Sequence, residues 1–258
     1  MKAKELDATL KFAIVAFVIL PFLPNVDYGP HGIFNPFIIW LMVVFVSGIS
    51  FVGYVLMRWF GERGIELTGI FGGLASSTAV TLSFSQRSKH TFEVNHLLIG
   101  VVLANAVMFI RVLIELLVLQ RELFTSLLIP LLFLTAVSVG LAFVVGKKSW
   151  GRNEKVELSS PFTFLPALKV GAAFAAMIAV IKLVNVYFQS KGIYAMSFIS
   201  GFADVDPIVI SLTQVNSGSV PLEVARNAIL IAVLTNMAGK GIIAFVLGGK
   251  EFGQKVLA

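Results

Sequence analysis

Cysteine is absent from this sequence of 258 residues, and charged residues make up only 13% of it. Without cysteine the chain forms neither disulfides nor thiolate metal sites. Soluble domains carry roughly 25% charged residues, so this chain lacks the polar surface that a dissolved protein needs. The scarcity of charge therefore excludes a soluble fold.

Long apolar segments recur along the chain, and hydrophobic residues account for 57% of it. About 20 apolar residues in a helix cross the roughly 30 Å hydrocarbon core of a bilayer. The sequence therefore predicts an all-α integral membrane protein that forms a single membrane domain over residues 1–258. The first segment resembles a signal peptide but has no small-residue cleavage site, so we expect a retained helix. The eight apolar segments lie at 8–24, 34–57, 66–86, 94–119, 123–146, 161–189, 192–213 and 222–248.

The formal net charge of +6 does not indicate a nucleic-acid partner. Most basic residues lie in short loops between apolar segments, where such residues set the topology of membrane proteins. The lipid bilayer is therefore the expected partner of this surface, and no nucleic acid is expected to bind.

Two stretches of the chain resemble each other at an offset of 128 residues, with a shorter match upstream at an offset of 125 and another downstream at an offset of 131, in the same order in both copies. Internal repeats of this kind are common in transporters. The shared order predicts a duplication, with repeats at about 34–120 and about 161–248. The aligned pieces are Gly73–Ser83 with Gly201–Ser211, Asn35–Phe37 with Ser160–Phe162, and Ala104-Asn105 with Thr235-Asn236.

Both repeats carry polar residues in the middle of an apolar segment. Asp206 followed by Pro207 is typical of a helix start, because aspartate caps free N–H groups and proline suits the first helical position. Thr78 aligns with Asp206 and is also a capping residue type. Glycines precede both positions, at Gly72–Gly73 and at Gly201. The pattern predicts two half-helices joined at a break in each repeat.

The distribution of lysine and arginine decides between two topologies. If all eight segments span, eight basic residues lie on one side and seven on the other, which is no bias. If 66–86 and 192–213 are re-entrant, the count becomes twelve inside against three outside, as the positive-inside rule favours. If only 66–86 is re-entrant, the count is eleven against four, and the symmetry of the repeats favours two re-entrant segments. The sequence thus predicts six spans, two re-entrant hairpins and both termini in the cytoplasm, in a cytoplasmic (inner) membrane. The alternative is eight spans in which helices 3 and 7 are discontinuous.

Two re-entrant hairpins would give the two repeats opposite orientations, which is the inverted-repeat architecture of many transporters and channels. Half-helices of about ten residues reach about 15 Å and would place each break near the middle of the bilayer. Non-helical backbone at that depth must be covered by protein or must line a wet cavity.

Asp204 and Asp206 are the most informative polar residues, because carboxylates inside a membrane are costly and usually mark ion or proton pathways. We predict both as metal ligands. The alternative is that Asp206 only caps a half-helix and Asp204 faces a loop. Oxygen ligands suit Mg²⁺, Ca²⁺, Mn²⁺ or Na⁺, so we expect no resident cofactor but a bound cation such as Mg²⁺.

Hydroxyl and amide side chains surround the predicted breaks. Ser76, Ser77 and Thr78 either complete an oxygen-rich ion site or hydrogen-bond within their own helix. Asn105 and Asn236 align with each other, and a buried amide in a membrane protein needs partners. The two asparagines are expected either to bind the ion or to bond the broken backbone.

A lysine and an ion-pair motif also fall inside apolar segments. Lys240 is placed to pair with Asp204 or Asp206, and it is counted with the ion-binding residues. Arg111 and Glu115 are four residues apart on a helix and are predicted to pair with each other. Three isolated histidines show no metal-ligand spacing and are predicted to be surface residues: His31, His90 and His96.

Three stretches resemble a known family, namely Gly48–Tyr54, Gly72–Thr81 and Gly201–Ile208. They are similar to the domain of unknown function that follows the MgtC/SapB-type domain in many bacterial and archaeal membrane proteins. The likeness extends over about residues 6–249, and we expect no MgtC-like portion in this chain. The resemblance implies a multi-spanning membrane protein that is linked to divalent-cation handling, and it does not define an activity.

A transporter or channel for a small cation is the function that broken helices, intramembrane carboxylates and an inverted repeat predict together. A divalent cation and coupling to protons are both compatible with these features. The alternative is a non-transporting membrane module that binds an MgtC-like partner protein, and assembly into a homo-oligomer is also open. An enzyme is not expected, because the sequence shows no pattern of nucleophile and base.

Overall fold

The computed structural model describes residues 10, 13–28, 35–60, 64–89, 94–146, 164–215 and 220–257. Within these ranges the chain is helical and contains no β-strand, which confirms the predicted all-α class. The α-helices are α1 (Pro36–Phe60), α2 (Ile65–Arg87), α3 (Val94–Leu119), α4 (Arg121–Gly146), α5 (Phe164–Ala203), α6 (Asp206–Val215), α7 (Leu222–Gly248) and α8 (Lys250–Leu257).

Five of the described helices are long and apolar enough to cross a membrane, namely α1, α2, α3, α4 and α7. Large apolar side chains on their outer faces are exposed, as on α4, where Ile129 is 79% and Val144 is 70% exposed. Such surfaces are stable in lipid and not in water. The protein is therefore a multi-pass membrane protein, as the composition predicts.

The predicted first span, 8–24, differs from a regular helix where the structure describes it. A π-helical segment, Ile14–Ile19, continues into a 3₁₀ turn, Leu20–Phe22. Pro21 lies within the 3₁₀ turn and Pro24 follows it. Because proline has no N–H to donate, these residues end the helix early. The segment before residue 13, apart from residue 10, lies outside the described residues.

Helix α2 reverses direction in its middle. A β-carbon added to Gly100 would lie 3.2 Å from Cγ2 of Ile65 and 2.3 Å from Cε2 of Phe84, so both ends of α2 meet the same point on α3. A straight helix would hold Ile65 and Phe84 about 28 Å apart, at about 1.5 Å per residue. The reversal occurs at Ser76, whose backbone is extended, with φ −168° and ψ 106°. The predicted break is confirmed. Although α2 contains enough residues to cross a bilayer, it folds back on itself and does not form a straight span.

Glycines allow the first half of α2 to approach α3 closely. A β-carbon on Gly69 would lie 2.5 Å from the carbonyl oxygen of Gly100, and one on Gly73 would lie 2.7 Å from Cα of Ala104. Distances this short leave no room for a side chain, so backbone packs directly on backbone. The glycines of the repeat motif therefore hold the hairpin against α3.

The second repeat contains two departures from helical geometry. Helix α5 bends at Gln189, which has φ 49° and ψ −142°, at the boundary predicted between 161–189 and 192–213. A second break separates α5 from α6, and Asp204 and Val205 occupy it. Ile210 of α6 packs in one cluster with Phe174 of α5, so α6 lies against the part of α5 that precedes Gln189.

The two breaks lie at aligned positions, because Ser76 and Asp204 are 128 residues apart. The glycines that precede them make aligned contacts as well. Gly73 lies against Ala104, and a β-carbon on Gly201 would lie 2.9 Å from Cβ of Thr235. Helix α3 packs on α2, α4 and α6, while α7 packs on α2 and α5. This packing brings both breaks against the centres of α3 and α7.

A candidate ion site at the two helix breaks

A residue one or two positions ahead of each half-helix caps it. Ser76 Oγ accepts a hydrogen bond from the backbone N–H three residues later, at 3.2 Å. Asp204 Oδ1 accepts from the next two backbone N–H groups, at 2.7 and 3.4 Å. The sequence-based assignment of the caps to Thr78 and Asp206 is therefore wrong. A capping side chain must precede the first helical residue in order to reach the free N–H groups, and Ser76 and Asp204 are the residues in that position.

Asp204 and Asp206 have different environments and do not form one site. Asp204 is exposed, and its carboxylate is engaged by backbone, whereas Asp206 is only 6% exposed. An arginine from α3, Arg111, donates from Nη2 to Oδ2 of Asp206. Arg111 also donates from Nε to Oε1 of Glu115, at 3.2 Å, which confirms that predicted pair. We refer to Arg111, Glu115 and Asp206 as the Arg111 cluster.

Arg111 connects the two breaks. Its Nη1 donates to the carbonyl oxygen of Leu74, at 3.3 Å. In an unbroken helix that carbonyl would accept from the residue four positions later, and the extended Ser76 removes this partner. One guanidinium therefore satisfies a carbonyl at the first break and a carboxylate, Asp206, at the second. The planar guanidinium carries five N–H donors in a fixed fork, so one arginine can serve acceptors on several sides at once.

The Arg111 cluster contains two carboxylates and one guanidinium. Glu115 is completely buried, and its Oε2 has no hydrogen-bond partner among the described residues. Two carboxylates share one guanidinium, so the formal charge of the cluster is −1 when all three groups are ionised. Uncompensated charge in an apolar interior is costly. The cluster is therefore suited to bind one further positive charge.

Lys240 forms a second cluster beside the first break. Its Nζ donates to Ser77 Oγ at 2.7 Å, to Asn105 Oδ1 at 2.9 Å and to Met108 Sδ at 3.0 Å. The side chain is 1% exposed. We refer to these four residues as the Lys240 cluster. It joins α7 to the start of the second half of α2 and to α3.

The predicted ion pair of Lys240 with Asp204 or Asp206 is not formed, because no carboxylate of the described chain lies in ion-pair contact with its amine. Arg111 pairs with Asp206 instead. Both aspartates still lie within electrostatic reach of Lys240.

The two aligned asparagines have different partners. Asn236 Nδ2 donates to the carbonyl oxygen of Gly201, at 2.8 Å, and thereby supports the chain just before the second break. Asn105 instead accepts from Lys240. Thr78 is partly buried and belongs to neither cluster. The structure thus brings Ser77, Asn105 and Lys240 together, while Ser76, Asp204 and Asn236 stabilise the breaks.

The arrangement does not fit a resident divalent metal. Over the described ranges, no group of three or more histidine, aspartate or glutamate residues could hold a metal ion. Arg111 occupies the carboxylate of Asp206, and backbone N–H groups occupy that of Asp204. Mg²⁺ and Ca²⁺ prefer several converging oxygen ligands, so the predicted metal pair Asp204–Asp206 is not a preformed Mg²⁺ site.

The prediction that His96 is a surface residue is wrong. His96 is 6% exposed, and its Nδ1 lies 3.0 Å from Oε1 of Glu66. It is therefore a buried partner of α2 and not a surface residue. His31 and His90 lie outside the described residues.

Sequence reasoning missed the central role of Arg111. The four-residue spacing between Arg111 and Glu115 predicts one contact of the guanidinium, but it does not predict the contacts with Leu74 and Asp206. Its position provided a signal, since Arg111 lies deep inside an apolar segment where a basic residue is costly. Met108, an apolar residue in an apolar helix, gave no signal of its contact with Lys240.

The fold and site define a multi-pass, all-α membrane protein in which two broken helices meet at buried charged clusters. The DUF4010 family, described as a domain of unknown function, matches residues 44–248. The chain belongs to that family, which confirms its resemblance to a domain of unknown function. A protein of Aquifex aeolicus (strain VF5), described as an uncharacterized protein, is 28% identical over 200 residues, or 76% of this chain and 87% of the relative. No solved structure matches the chain.

Proposed function

We propose that this protein transports a small, singly charged cation across the cytoplasmic membrane. The observation that carries the proposal is the connection made by Arg111, which binds a carbonyl at one helix break and a carboxylate at the other inside the protein. Buried ionisable groups in membrane helices usually serve ion or proton pathways. Broken helices that meet at such groups are the usual place of substrate sites in transporters.

The charge of the Arg111 cluster supports a monovalent ion in preference to a divalent one. Arg111 already neutralises one of the two carboxylates, so a single positive charge completes the balance. The free oxygen of Glu115 and the carboxylate of Asp206 are the groups that such a cation meets. Because Arg111 holds both breaks, cation binding must rearrange this contact, which favours a transporter over an open channel.

Orientation and symmetry complete the proposal. Both termini and the ends of α2 lie in the cytoplasm, in agreement with the count of twelve basic residues against three. The repeats 34–120 and 161–248 are inverted relative to each other. The reversal of α2 at Ser76 and the aligned break at Asp204 support this arrangement. The alternative function is a membrane module that binds an MgtC-like partner and transports nothing. Flux measurements distinguish it from a transporter.

Ion flux into proteoliposomes tests the proposal. The purified protein should take up Na⁺ or K⁺, and Asp206→Asn should abolish this uptake because the buried carboxylate is lost. Asp204→Asn is the matched control, since Asp204 is exposed and caps a helix, and asparagine also caps. It should retain most of the flux. Absence of flux for both ions in the wild-type protein, or equal flux in the two variants, would contradict the proposed function.

A further inference from the structure

Lys240 holds a buried amine among neutral groups. A lysine with 1% exposure would ordinarily be expected to face a carboxylate. Here the hydroxyl of Ser77, the amide oxygen of Asn105 and the thioether of Met108 surround Nζ. These contacts orient the amine but supply no negative charge.

The same three contacts suit both protonation states of the amine. An ammonium donates three hydrogen bonds, and Ser77 Oγ, Asn105 Oδ1 and Met108 Sδ can accept them. A neutral amine donates two and accepts one. Asn105 Oδ1 and Met108 Sδ then accept, while the Ser77 hydroxyl rotates and donates. No heavy atom has to move for Lys240 to gain or lose its proton.

The charges around Lys240 connect its protonation to the Arg111 cluster. Helix α3 contributes Arg111, the second break contributes Asp206 and the exposed Asp204, and α2 contributes the neutral Ser77. Glu115 is connected to this group through its ion pair with Arg111. When its three groups are ionised, the Arg111 cluster has a formal charge of −1, and a protonated Lys240 then brings the buried groups, which do not include the exposed Asp204, to neutrality. A cation bound at the Arg111 cluster neutralises the same groups when Lys240 is an uncharged amine. With the cation and a protonated Lys240 both present, these groups would carry an uncompensated positive charge, which is costly in an apolar interior.

We propose that Lys240 is the proton-exchanging residue of the transporter. It holds a proton when the Arg111 cluster is without a cation and releases that proton when a cation arrives. One positive charge then replaces another, and the protein exchanges one proton for one monovalent cation. This inference rests on the proposed function, because it requires cation binding at the Arg111 cluster.

The protonation state of Lys240 can be observed directly. Nitrogen NMR of protein labelled with ¹⁵N-lysine, in lipid nanodiscs, distinguishes an amine from an ammonium at Nζ. Replacing choline with saturating Na⁺ at constant pH should convert one lysine signal from ammonium to amine. That signal should be missing in Lys240→Met and present in Lys255→Met, a control on the exposed side chain of α8 that pairs with Glu251. If Na⁺ binds and the Lys240 signal does not change, the inference is wrong.

The pH dependence of Na⁺ binding provides a second readout. Exchange of one proton for one cation makes wild-type affinity rise about tenfold per pH unit while Lys240 is protonated in the free protein. Lys240→Met and the more polar Lys240→Gln should bind Na⁺ with an affinity that is independent of pH over that range. Lys240→Arg, which stays charged, should bind weakly at every pH. Wild-type affinity that is independent of pH would overturn the inference while leaving the proposed function intact. Absence of Na⁺ and K⁺ binding in the wild-type protein would overturn both.

Discussion

At the scale of single residues, Arg111 determines how the centre of the protein is organised. It reaches a carbonyl of α2, a carboxylate of α6 and a neighbouring glutamate on its own helix. Each of these acceptors would be buried without a partner if the guanidinium were absent. The broken backbone at Leu74 and the acid Asp206 therefore depend on the same side chain.

Removing Arg111 should destabilise the protein strongly. Arg111→Gln should lower the free energy of unfolding by about 3–5 kcal/mol, because it leaves Asp206 and Glu115 buried without their counter-charge. Thermal unfolding in detergent, followed by intrinsic fluorescence, measures the loss. Adding Asp206→Asn to Arg111→Gln should restore part of the stability, since it removes one uncompensated charge.

A surface arginine provides the control for this measurement. Arg226 is partly exposed and lies 3.7 Å from Glu223, a pair of the kind that contributes about 0–1 kcal/mol. Arg226→Gln should hardly change the unfolding temperature. Equal effects of the two substitutions would show that Arg111 does not hold the breaks together.

The sequence predicted the breaks of the two repeats but not the contacts across them. Position 206 was correctly identified as a helix start, because Asp206-Pro207 is a local signal that depends only on neighbouring residues. The pairing of Asp206 with Arg111 joins residues 95 positions apart and depends on how α3 and α6 approach each other. By charge alone, Lys240 is a reasonable ion-pair partner for Asp204 or Asp206. Its amine is instead placed beside Ser77 by the packing of α7 against α2, which no local pattern specifies.

At the scale of secondary-structure elements, glycine packing holds the α2 hairpin in place. Gly69 and Gly73 recur four residues apart, so they lie on one face of the first half-helix. Both face α3 at distances that exclude a β-carbon. The hairpin can therefore stay folded back only if this face remains free of side chains.

A single methyl group on this face should disturb the hairpin. Gly69→Ala should lower the free energy of unfolding by about 1–3 kcal/mol, because the added carbon would lie 2.5 Å from a backbone oxygen that cannot move aside easily. Thermal unfolding in detergent measures the change.

Gly140→Ala on α4 is the matched control, since a β-carbon there meets nothing within 4 Å. It should be neutral or slightly stabilising, because alanine favours helix by about 1 kcal/mol over glycine. A stability loss at position 140 as large as that at position 69 would contradict the role of close packing.

At the scale of the whole molecule, the topology determines which surfaces face the cytoplasm. The absence of native cysteine allows single cysteines to be labelled without background. The exposed residues Trp59 and Lys89 lie before and after α2, and Glu223 lies at the start of α7. If α2 is re-entrant, the first two positions share one side of the membrane, and if 192–213 is re-entrant as well, the third lies on the other side.

Membrane-impermeant maleimide applied to inverted and right-side-out vesicles tests this arrangement. Trp59→Cys and Lys89→Cys should react only from the cytoplasmic side, and Glu223→Cys only from the opposite side. Labelling of positions 59 and 89 from opposite sides would show that α2 spans. Labelling of positions 89 and 223 from the same side would contradict the inverted orientation of the repeats.

The reversal of α2 also constrains how the chain is assembled in the membrane. Each half-helix, of about ten residues, reaches about 15 Å, half of the bilayer core, so neither half can be anchored in lipid by itself. The unbonded carbonyl of Leu74 would meet hydrocarbon until Arg111 arrives with α3. During synthesis, α2 must therefore remain at the membrane surface or beside the insertion machinery until the next 30 or so residues have left the ribosome. We therefore expect the hairpin to form after α3 has entered the membrane, when the glycine face of α2 can pack onto α3.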